Sequence, residues 1–504
     1  MKERLFLSAS DFYTLHRPST CERRVFLTAR SVPAGEPSEF EKILMEMGKR
    51  HEAEHLATFP AARNLSEGSQ ADRAQRTRDA VQAGEPVIYQ GVLRALFPGT
   101  RDIVTGIPDF LIRDGGSYRI RDCKLSRSLE GGRHPEIAQQ LQTYGWLFES
   151  EFKSPPAALE AYLGDGSLVT VPYAGARPAE EDLTLIRELV LKEDEPWEPV
   201  GWSKCGGCPF QERCRSVAEN EHDISLVYRV DSATARALRA HGIRTWDELL
   251  SMDERALAGL SLPRARGERR VGASAVRILA QARALAAGKP VRLSRLALPQ
   301  GRCLVMFDLE GASPGRDELD RVYIWGMSIH DGGPRGAYRP AVAGFGADGD
   351  RGGWETFLRS AADIFRENGE VPFVHWADYE KSRIRTYIER YGDRDGIGAR
   401  VLSCCFDLLA AVRDAFALPV PSYSLKVIEA LCGYTRTMTD YGGDWAVARY
   451  IRAGESRDPV ERASIMEEIL RYNEEDLEAT WTVLQWVRDL DVTVPFPPGT
   501  AGTP

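Results

Sequence analysis

Two aspartates and a lysine in the first quarter of the chain have the types and spacing that cation-assisted hydrolysis needs. Asp109 lies in a predicted strand over 104–113, and Asp122 and Lys124 lie in the next one, over 117–126. Because side chains alternate along a strand, Asp122 and Lys124 share a face that Asp109 can oppose. Carboxylates suit a hard cation such as Mg²⁺, and a lysine can stabilise a charged phosphate. The group therefore indicates phosphodiester hydrolysis, with an ordinary charged surface hairpin as the alternative.

Three more polar residues flank this group. His51 lies upstream in a helical stretch, and Gln140 and Tyr144 lie four apart on a predicted helix over 137–148, so they share a face. In this order the residues resemble the motifs of RecB-type nucleases of the PD-(D/E)xK superfamily. The resemblance implies three kinds of site residue: the Mg²⁺ or Mn²⁺ ligands His51, Asp109 and Asp122, the catalytic Lys124, and the DNA-positioning Gln140 and Tyr144.

The chain has nine cysteines, and three of them are closely spaced as Cys205-x2-Cys208-x5-Cys214. Thiolates at this spacing bind iron–sulfur clusters or zinc, and Cys21 is the best source of a fourth ligand. One cysteine near the start and three after the nuclease motifs are similar to the iron–sulfur staple of the RecB-type subgroup. The resemblance implies a structural [4Fe–4S] cluster on these four cysteines, with Zn²⁺ as the alternative.

A second set of acids lies in the second half of the chain. Asp308 and Glu310 are two apart on a predicted buried strand, so they share a face, where they are costly unless they bind a cation. Glu380 follows on a predicted helix, and Tyr472 and Asp476 lie four apart on another. Together they resemble the DEDDy branch of RNase-H-like 3′–5′ exonucleases.

This second resemblance implies two metal ions held by Asp308, Glu310, Glu380 and Asp476, with Tyr472 orienting the attacking water. The middle motif departs from the family, because Glu380 stands where an aspartate is usual. Asp378 and Asp407 are therefore alternative ligands.

The segment between the two sets is basic. Residues 229–295 contain 14 Arg or Lys against 6 Asp or Glu, a net charge of about +8. The pattern predicts short helices, and Leu238 to Leu249 resembles a helix–hairpin–helix module that binds the DNA backbone. A solvated helical linker is the alternative. The candidate phosphate contacts are Arg264, Arg266, Arg269 and Arg270.

The chain as a whole is predicted to be an α/β multidomain protein. Its 504 residues carry a net charge of −9, which excludes a uniformly basic nucleic-acid coat. No apolar run is long enough for a membrane helix and no signal segment is recognisable, so we expect a cytoplasmic protein. The predicted domains are a PD-(D/E)xK domain, a basic helical segment, an RNase-H-like α/β domain and a disordered tail: 1–220, 221–295, 296–493 and 494–504.

Nearly the full length resembles predicted RecB-family nucleases that carry a C-terminal RNase-H-like domain. The sequence therefore predicts a metal-dependent DNA nuclease with two sites, acting in DNA repair or in defence against foreign DNA. Because no Walker-type motif is present, any unwinding would come from a helicase partner. Two alternatives stay open: a nucleic-acid end-binding scaffold with one inactive site, and an RNA-processing exonuclease.

Overall fold

The chain folds as two units, each with its own sheets and buried core, in a computed structural model. The first unit comprises Met1–Glu198 and Ser203–Glu212, and the second comprises Pro199–Trp202 and Arg213–Pro504. The predicted domain limits at 220 and 295 stay predictions. The structure describes residues 4–17, 21–129, 134–201, 205–264, 267–312, 320–333, 336–438 and 442–496.

The described residues of the first unit form nine strands and six helices. The strands are β1 (Phe6–Ser8), β2 (Arg63–Asn64), β3 (Val87–Tyr89), β4 (Leu93–Leu96), β5 (Ile103–Gly106), β6 (Phe110–Asp114), β7 (Ser117–Lys124), β8 (Ala158–Leu163) and β9 (Leu168–Val171). The helices are α1 (Ala9–His16), α2 (Glu22–Ala29), α3 (Glu39–Ala57), α4 (Gln70–Ala83), α5 (Pro135–Phe152) and α6 (Arg177–Val190). A six-stranded sheet has the order β2-β3-β6-β7-β8-β9, and a smaller one has the order β1-β5-β4.

The hairpin of β6 and β7 positions the first set of acids. Gly115 adopts φ +57° in the turn between the two strands, a left-handed conformation that glycine enters without strain. Along β7 the residues alternate between buried and partly exposed positions, and Asp122 falls on the buried side. Asp122 and Lys124 therefore share a face at the end of β7.

The single strand predicted over 104–113 is wrong. The chain forms β5 and β6 there, and the two strands belong to different sheets. Pro108 has no amide hydrogen to donate to a ladder. Gly106 lies so close to α5 that a Cβ would be 2.6 Å from Leu147 Cδ1. Asp109 consequently sits in the connection between the two strands.

The helix α7 (Gln211–Asn220) spans the division between the two units and precedes the central segment, which lies in the second unit. The α-helices and strands of the central segment are α8 (Ser232–Ala240), α9 (Trp246–Leu250), α10 (Glu254–Gly259), β10 (Ser261–Arg264), β11 (Gly267–Arg270) and α11 (Ser274–Ala287). As predicted, Thr245 caps α9 by accepting a hydrogen bond from Glu248 N, and Gly288 follows α11 with φ +61°. The sequence pattern predicts only helices in this segment. The structure also contains two strands there, β10 and β11, which pair as an antiparallel hairpin.

Arg269 and Arg270 are exposed on β11, and Arg264 lies on β10. Arg266 and the predicted tail beyond residue 496 lie outside the described residues. None of the described helices combines the length and the apolar character that crossing a bilayer requires.

The rest of the second unit is a mixed sheet with helices. The strands are β12 (Val291–Arg292), β13 (Leu304–Ala312), β14 (Arg321–His330), β15 (Ala337–Tyr338), β16 (Ala341–Val342), β17 (Phe373–His375), β18 (Cys405–Asp407) and β19 (Phe416–Ala417). The helices are α12 (Gly346–Asn368), α13 (Tyr379–Tyr391), α14 (Ile397–Cys404), α15 (Leu408–Ala415), α16 (Leu425–Leu431), α17 (Gly443–Glu455) and α18 (Pro459–Thr493). The main sheet has the order β15-β14-β13-β17-β18, and β16 also pairs with β14.

β13 and α18 bring the second set of acids together. β13 pairs antiparallel with β14, which is buried along its whole length, and parallel with β17. The 35-residue helix α18 packs across both β13 and β14. Residues on the inner face of α18 therefore meet those on β13.

Candidate active sites

Lys124 is the centre of the candidate site in the first unit. Its Nζ lies 2.6 Å from Asp122 Oδ2 and donates to Gln140 Oε1 at 2.8 Å. Asp109 Oδ2 accepts a hydrogen bond from Cys123 N at 2.7 Å, which fixes its carboxylate beside β7. The structure thus brings Asp109, Asp122, Lys124 and Gln140 together.

The charges of this group act strongly on one another. Burial, and then the charges of Asp122 and Glu52, raise the pKa of Asp109 well above its usual value. Burial lowers the Lys124 pKa, but Asp122 and Asp109 outweigh it, so the net shift is upward. The lysine is therefore held in its charged form. Carboxylates that repel each other in this way fit a divalent cation, which would relieve the repulsion.

Glu52 also lies at this site, although the sequence motifs do not identify it as a site residue. Gln90 Nε2 donates both to Glu52 Oε1 at 2.6 Å and to Asp109 Oδ1 at 3.0 Å. Tyr89 OH donates to the same Glu52 oxygen at 2.8 Å. The one signal in the sequence is that Glu52 directly follows His51 on a helix. Glu52 is thus a further candidate ligand.

His51 and Tyr144 make ring and hydrogen-bond contacts with residues other than the carboxylates of the site. The His51 ring stacks on Tyr162 at 4.9 Å, and its Nε2 lies 3.3 Å from Tyr162 O. Tyr144 is buried, and its hydroxyl donates to Ile107 O at 3.3 Å. Their roles as metal ligand and DNA-positioning residue stay predictions.

The cysteines of the predicted cluster lie in three places. Cys21 precedes α2, Cys205 and Cys208 lie in one turn where Cys208 N donates to Cys205 O at 3.0 Å, and Cys214 lies on α7. Burial, and then Arg17, lower the pKa of Arg24, and negative charge on Cys208 and Cys21 would oppose that shift. The two cysteines thus act electrostatically on the same guanidinium. The cluster itself stays a prediction.

The candidate site of the second unit holds three carboxylates at close range. The ligand atoms of Asp308, Glu310 and Asp476 all lie within 4.8 Å of one another. Burial is the largest cause that raises the pKa of Asp308 and of Glu310, and the charge of Asp476 comes next for both. Glu310 and Asp476 are buried and Asp308 is partly buried, and three acids at this distance repel one another without a cation. The group therefore fits a site for divalent metal.

Asn473 holds these acids from α18. Its Nδ2 donates to Asp308 Oδ2 at 2.7 Å, and its Oδ1 accepts from Tyr338 OH at 2.9 Å. Its side chain also lowers the pKa of Glu310 by hydrogen bonding. Gly326 on β14 leaves the space for it, because a Cβ there would be 1.9 Å from Asn473 Oδ1. The sequence signal that was available is its position next to Tyr472.

Arg436 brings a positive charge to the same place. Its Nε donates to Glu429 Oε1 at 2.6 Å, and its Nη2 donates to Glu429 Oε2 at 2.7 Å. The same Nη2 donates to Asp476 Oδ1 at 2.5 Å. Tyr472 is buried beside it, and burial and the charge of Asp476 raise the pKa of this phenol. Tyr472 is thus kept as a neutral hydroxyl next to the acids.

Glu380 lies outside the 4.8 Å group among the described residues, although its charge acts on the pKa of Asp308. It is buried, with its Oε2 3.4 Å from His375 Nδ1. The two alternative ligands have other contacts. Asp378 is exposed near Lys381, and Asp407 caps α15 by accepting from Ala410 N.

Two family models match the chain, one towards each end of the sequence. Residues 14–215 match the PD-(D/E)XK nuclease superfamily, and residues 305–488 match the RNase_H superfamily. No curated protein sequence matches the chain. Among solved structures, the one titled "Crystal structure of SSO0001" is 19% identical and covers 43% of this chain and 88% of its own, with a TM-score of 0.23. The chain therefore joins a region that matches the PD-(D/E)XK nuclease superfamily to one that matches the RNase_H superfamily, and both matches support a nuclease.

Proposed function

We propose that the protein hydrolyses DNA at two independent metal-dependent sites, a RecB-like site in the first unit and a 3′–5′ exonuclease site in the second. The observation that carries the proposal is the close group of Asp308, Glu310 and Asp476, which lie within 4.8 Å of one another. Its cellular role would be DNA repair or defence against foreign DNA, with a helicase as the source of unwound strands.

In the first site, Asp109 and Asp122 would hold Mg²⁺ or Mn²⁺, joined by Glu52 or His51. Lys124 would place its charge next to the phosphate under attack, since Asp122 and Gln140 fix its ammonium group. Gln140 and Tyr144 would position the strand from α5.

In the second site, Asp308, Glu310 and Asp476 would hold the metal, and Glu380 would be the fourth carboxylate. When bound, the cation would polarise the phosphate and activate a water molecule. Tyr472, kept protonated by its surroundings, would orient that water through its hydroxyl. Asn473 would hold Asp308 and Glu310 in place for ligation.

In this proposal, the β10–β11 hairpin contributes to nucleic-acid binding and the cysteine cluster contributes to stability. The exposed arginines of the β10–β11 hairpin would contact phosphates without reading sequence. Cys21, Cys205, Cys208 and Cys214 would hold a structural [4Fe–4S] cluster, with Zn²⁺ as the alternative.

The test uses cluster-intact full-length protein with 5′- and 3′-labelled single- and double-stranded DNA and RNA, with Mg²⁺ or Mn²⁺. We expect Lys124→Ala to remove one activity and Asp308→Asn to remove only the trimming of 3′ ends. The double variant should be inert while it still binds DNA.

Three results would contradict the proposal. Hydrolysis that persists in excess EDTA would exclude metal-dependent chemistry at both sites. Preference for RNA over DNA would favour the RNA-processing alternative. If Asp308→Asn changes no activity on any substrate, the second unit is an end-binding platform and only the first unit is an enzyme.

A further inference from the structure

Two cations lie close to the ring of Tyr472, beside the acids of the second unit. Lys426 Nζ lies 5.7 Å from the centre of the Tyr472 ring, and Arg436 Cζ lies 5.6 Å from it. Lys426 is exposed on α16, whereas the Arg436 side chain is only 9% exposed. One cation therefore faces solvent at the site and the other lies deeper beside the same ring.

One guanidinium nitrogen of Arg436 makes no hydrogen bond to the described residues. Its Nε and Nη2 are used by Glu429 and Asp476. Its Nη1 is buried and has no hydrogen-bond partner within the part of the chain that the structure describes. A buried donor without an acceptor is costly, and an anionic oxygen would satisfy it well. The unpaired Nη1 therefore favours a bound ligand that supplies an acceptor oxygen.

The charge around Lys426 is coupled to the acids. Partial burial of its ammonium group, and then the charge of Arg436, hold the Lys426 pKa below its usual value, and Asp476, Glu429 and Glu310 only partly offset this shift. Its ammonium group is therefore within electrostatic range of the three-carboxylate group. Carboxylates alone repel a phosphate, so cations beside them can hold one where it would otherwise be pushed away.

We propose that Lys426 and Arg436 form a phosphate subsite next to the three carboxylates. The subsite takes the phosphate that becomes the 5′-phosphate of the released nucleoside monophosphate. Lys426 meets the phosphate from the solvent side, and Arg436 Nη1 donates to one of its oxygens. The identity of the ligand rests on the proposed 3′–5′ exonuclease function, whereas the binding of a phosphate does not.

The experiment measures the affinity of full-length protein for thymidine 5′-monophosphate by isothermal titration calorimetry with Mg²⁺ present. Lys426→Ala should weaken this affinity about tenfold or more, as expected for the loss of a contact to a charged group. Lys289→Ala removes an exposed lysine elsewhere in the second unit and should bind as the wild type does. Arg436→Lys should also weaken binding, because one ammonium group cannot serve Glu429, Asp476 and a ligand together.

Thymidine, which lacks the phosphate, distinguishes the subsite from a contact with the base. Its affinity should be the same in the wild type and in Lys426→Ala. Equal affinity of both proteins for the monophosphate would overturn the proposal, as would a wild type that shows no saturable binding of it at millimolar concentration.

The two proposals fail in different ways. If the protein trims no 3′ end but Lys426→Ala still loses affinity for the monophosphate, the exonuclease function is wrong and the subsite stands. If trimming is observed and Lys426→Ala binds the monophosphate like the wild type, the function stands and the subsite is wrong.

Discussion

At the scale of single residues, Lys124 is defined by two contacts. Asp122 keeps its ammonium group charged, and Gln140 fixes its direction. A charge held in this way is arranged before the substrate arrives, so it stabilises negative charge that develops on a phosphate.

Lys124→Ala should reduce the activity of the first site roughly 10²-fold or more and leave the fold intact. The measurement is the turnover rate on labelled single-stranded DNA, with circular dichroism as the check of folding. Lys192→Ala is the matched control, because Lys192 is an exposed lysine that only approaches Glu22 at 3.3 Å. A Lys124→Ala protein with full activity would remove the lysine from the reaction.

Asp308 gives a prediction about stability. Burial and neighbouring acids raise its pKa on folding, so at neutral pH the charged form destabilises the metal-free protein. Because the folded state binds the proton more tightly, this penalty starts to fall as the pH drops through the raised pKa and is gone below the ordinary pKa of an aspartate. An asparagine resembles the protonated form at every pH.

Asp308→Asn should therefore raise the melting temperature of EDTA-treated protein at pH 7, by ~2 °C or more if the relief is about 1 kcal/mol. The gain should shrink as the pH is lowered, and added Mg²⁺ should stabilise the wild type more than the variant. Glu355→Gln, at an exposed carboxylate on α12, should show neither effect. A lower melting temperature for Asp308→Asn would contradict repulsion between Asp308 and the neighbouring carboxylates.

At the scale of elements, the second site depends on how closely α18 approaches β14. Gly326 pairs with Asp308 across the sheet, and Asn473 fills the space that the missing Cβ leaves. The carboxylates of β13 are thus aligned by a helix that comes from far along the chain.

Gly326→Ala should push Asn473 away and destabilise the second unit by about 1–3 kcal/mol, the usual range for overpacking. The trimming of 3′ ends should fall with it, while the activity of the first unit stays. Gly443→Ala is the control, because a Cβ at the start of α17 meets nothing within 4 Å. Equal unfolding midpoints for the two variants in urea would show that the close approach does not matter.

The β10–β11 hairpin gives a prediction about binding. If Arg269 and Arg270 contact phosphates, replacing both by alanine should lower the salt dependence of single-strand binding by about 1.4 log units per decade, at ~0.7 per contact. Arg366→Ala, at an exposed position on α12, should leave the slope unchanged. The readout is fluorescence anisotropy over a range of salt concentrations. An unchanged slope in the double variant would mean that the arginines are only solvated.

At the scale of the whole molecule, the predicted cluster would join distant parts of the chain. Cys21 lies before α2, and Cys205 and Cys208 follow the last helix of the first unit. Tying such distant segments together restricts the unfolded chain more than the folded one.

Cys21→Ser should therefore reduce the iron content of anaerobically purified protein and lower the melting temperature of the first unit by several degrees. Cys303→Ser, in the second unit, should change neither. Iron analysis and thermal melts provide the measurements. One zinc and no iron in the wild type would reject the iron–sulfur assignment, and full iron content in Cys21→Ser would reject Cys21 as a ligand.

The sequence predicts well what depends on local pattern. The β6–β7 hairpin, the cap at Thr245 and the strand that carries Asp308 and Glu310 all follow from alternation and turn residues. Motif order also identifies both superfamilies, which the family models confirm.

The sequence does not predict contacts between segments that are far apart in the chain. Glu52 meets Gln90 across 38 residues, and Arg436 meets Asp476 across 40. The break of the strand before Asp109 depends on how close α5 lies to Gly106. Such contacts are set by packing, which no spacing within a motif encodes.

Three residues of the second site lie in the middle of the long helix α18. The helix has 35 residues, a rod of about 52 Å at 1.5 Å per residue, and Tyr472, Asn473 and Asp476 lie well inside it. Amides in the middle of a long packed helix are freed only when the surrounding structure opens, unlike those at frayed ends. The residues that would handle the nucleotide therefore share the slow exchange of the unit's core, and not the fast fluctuations of a surface loop.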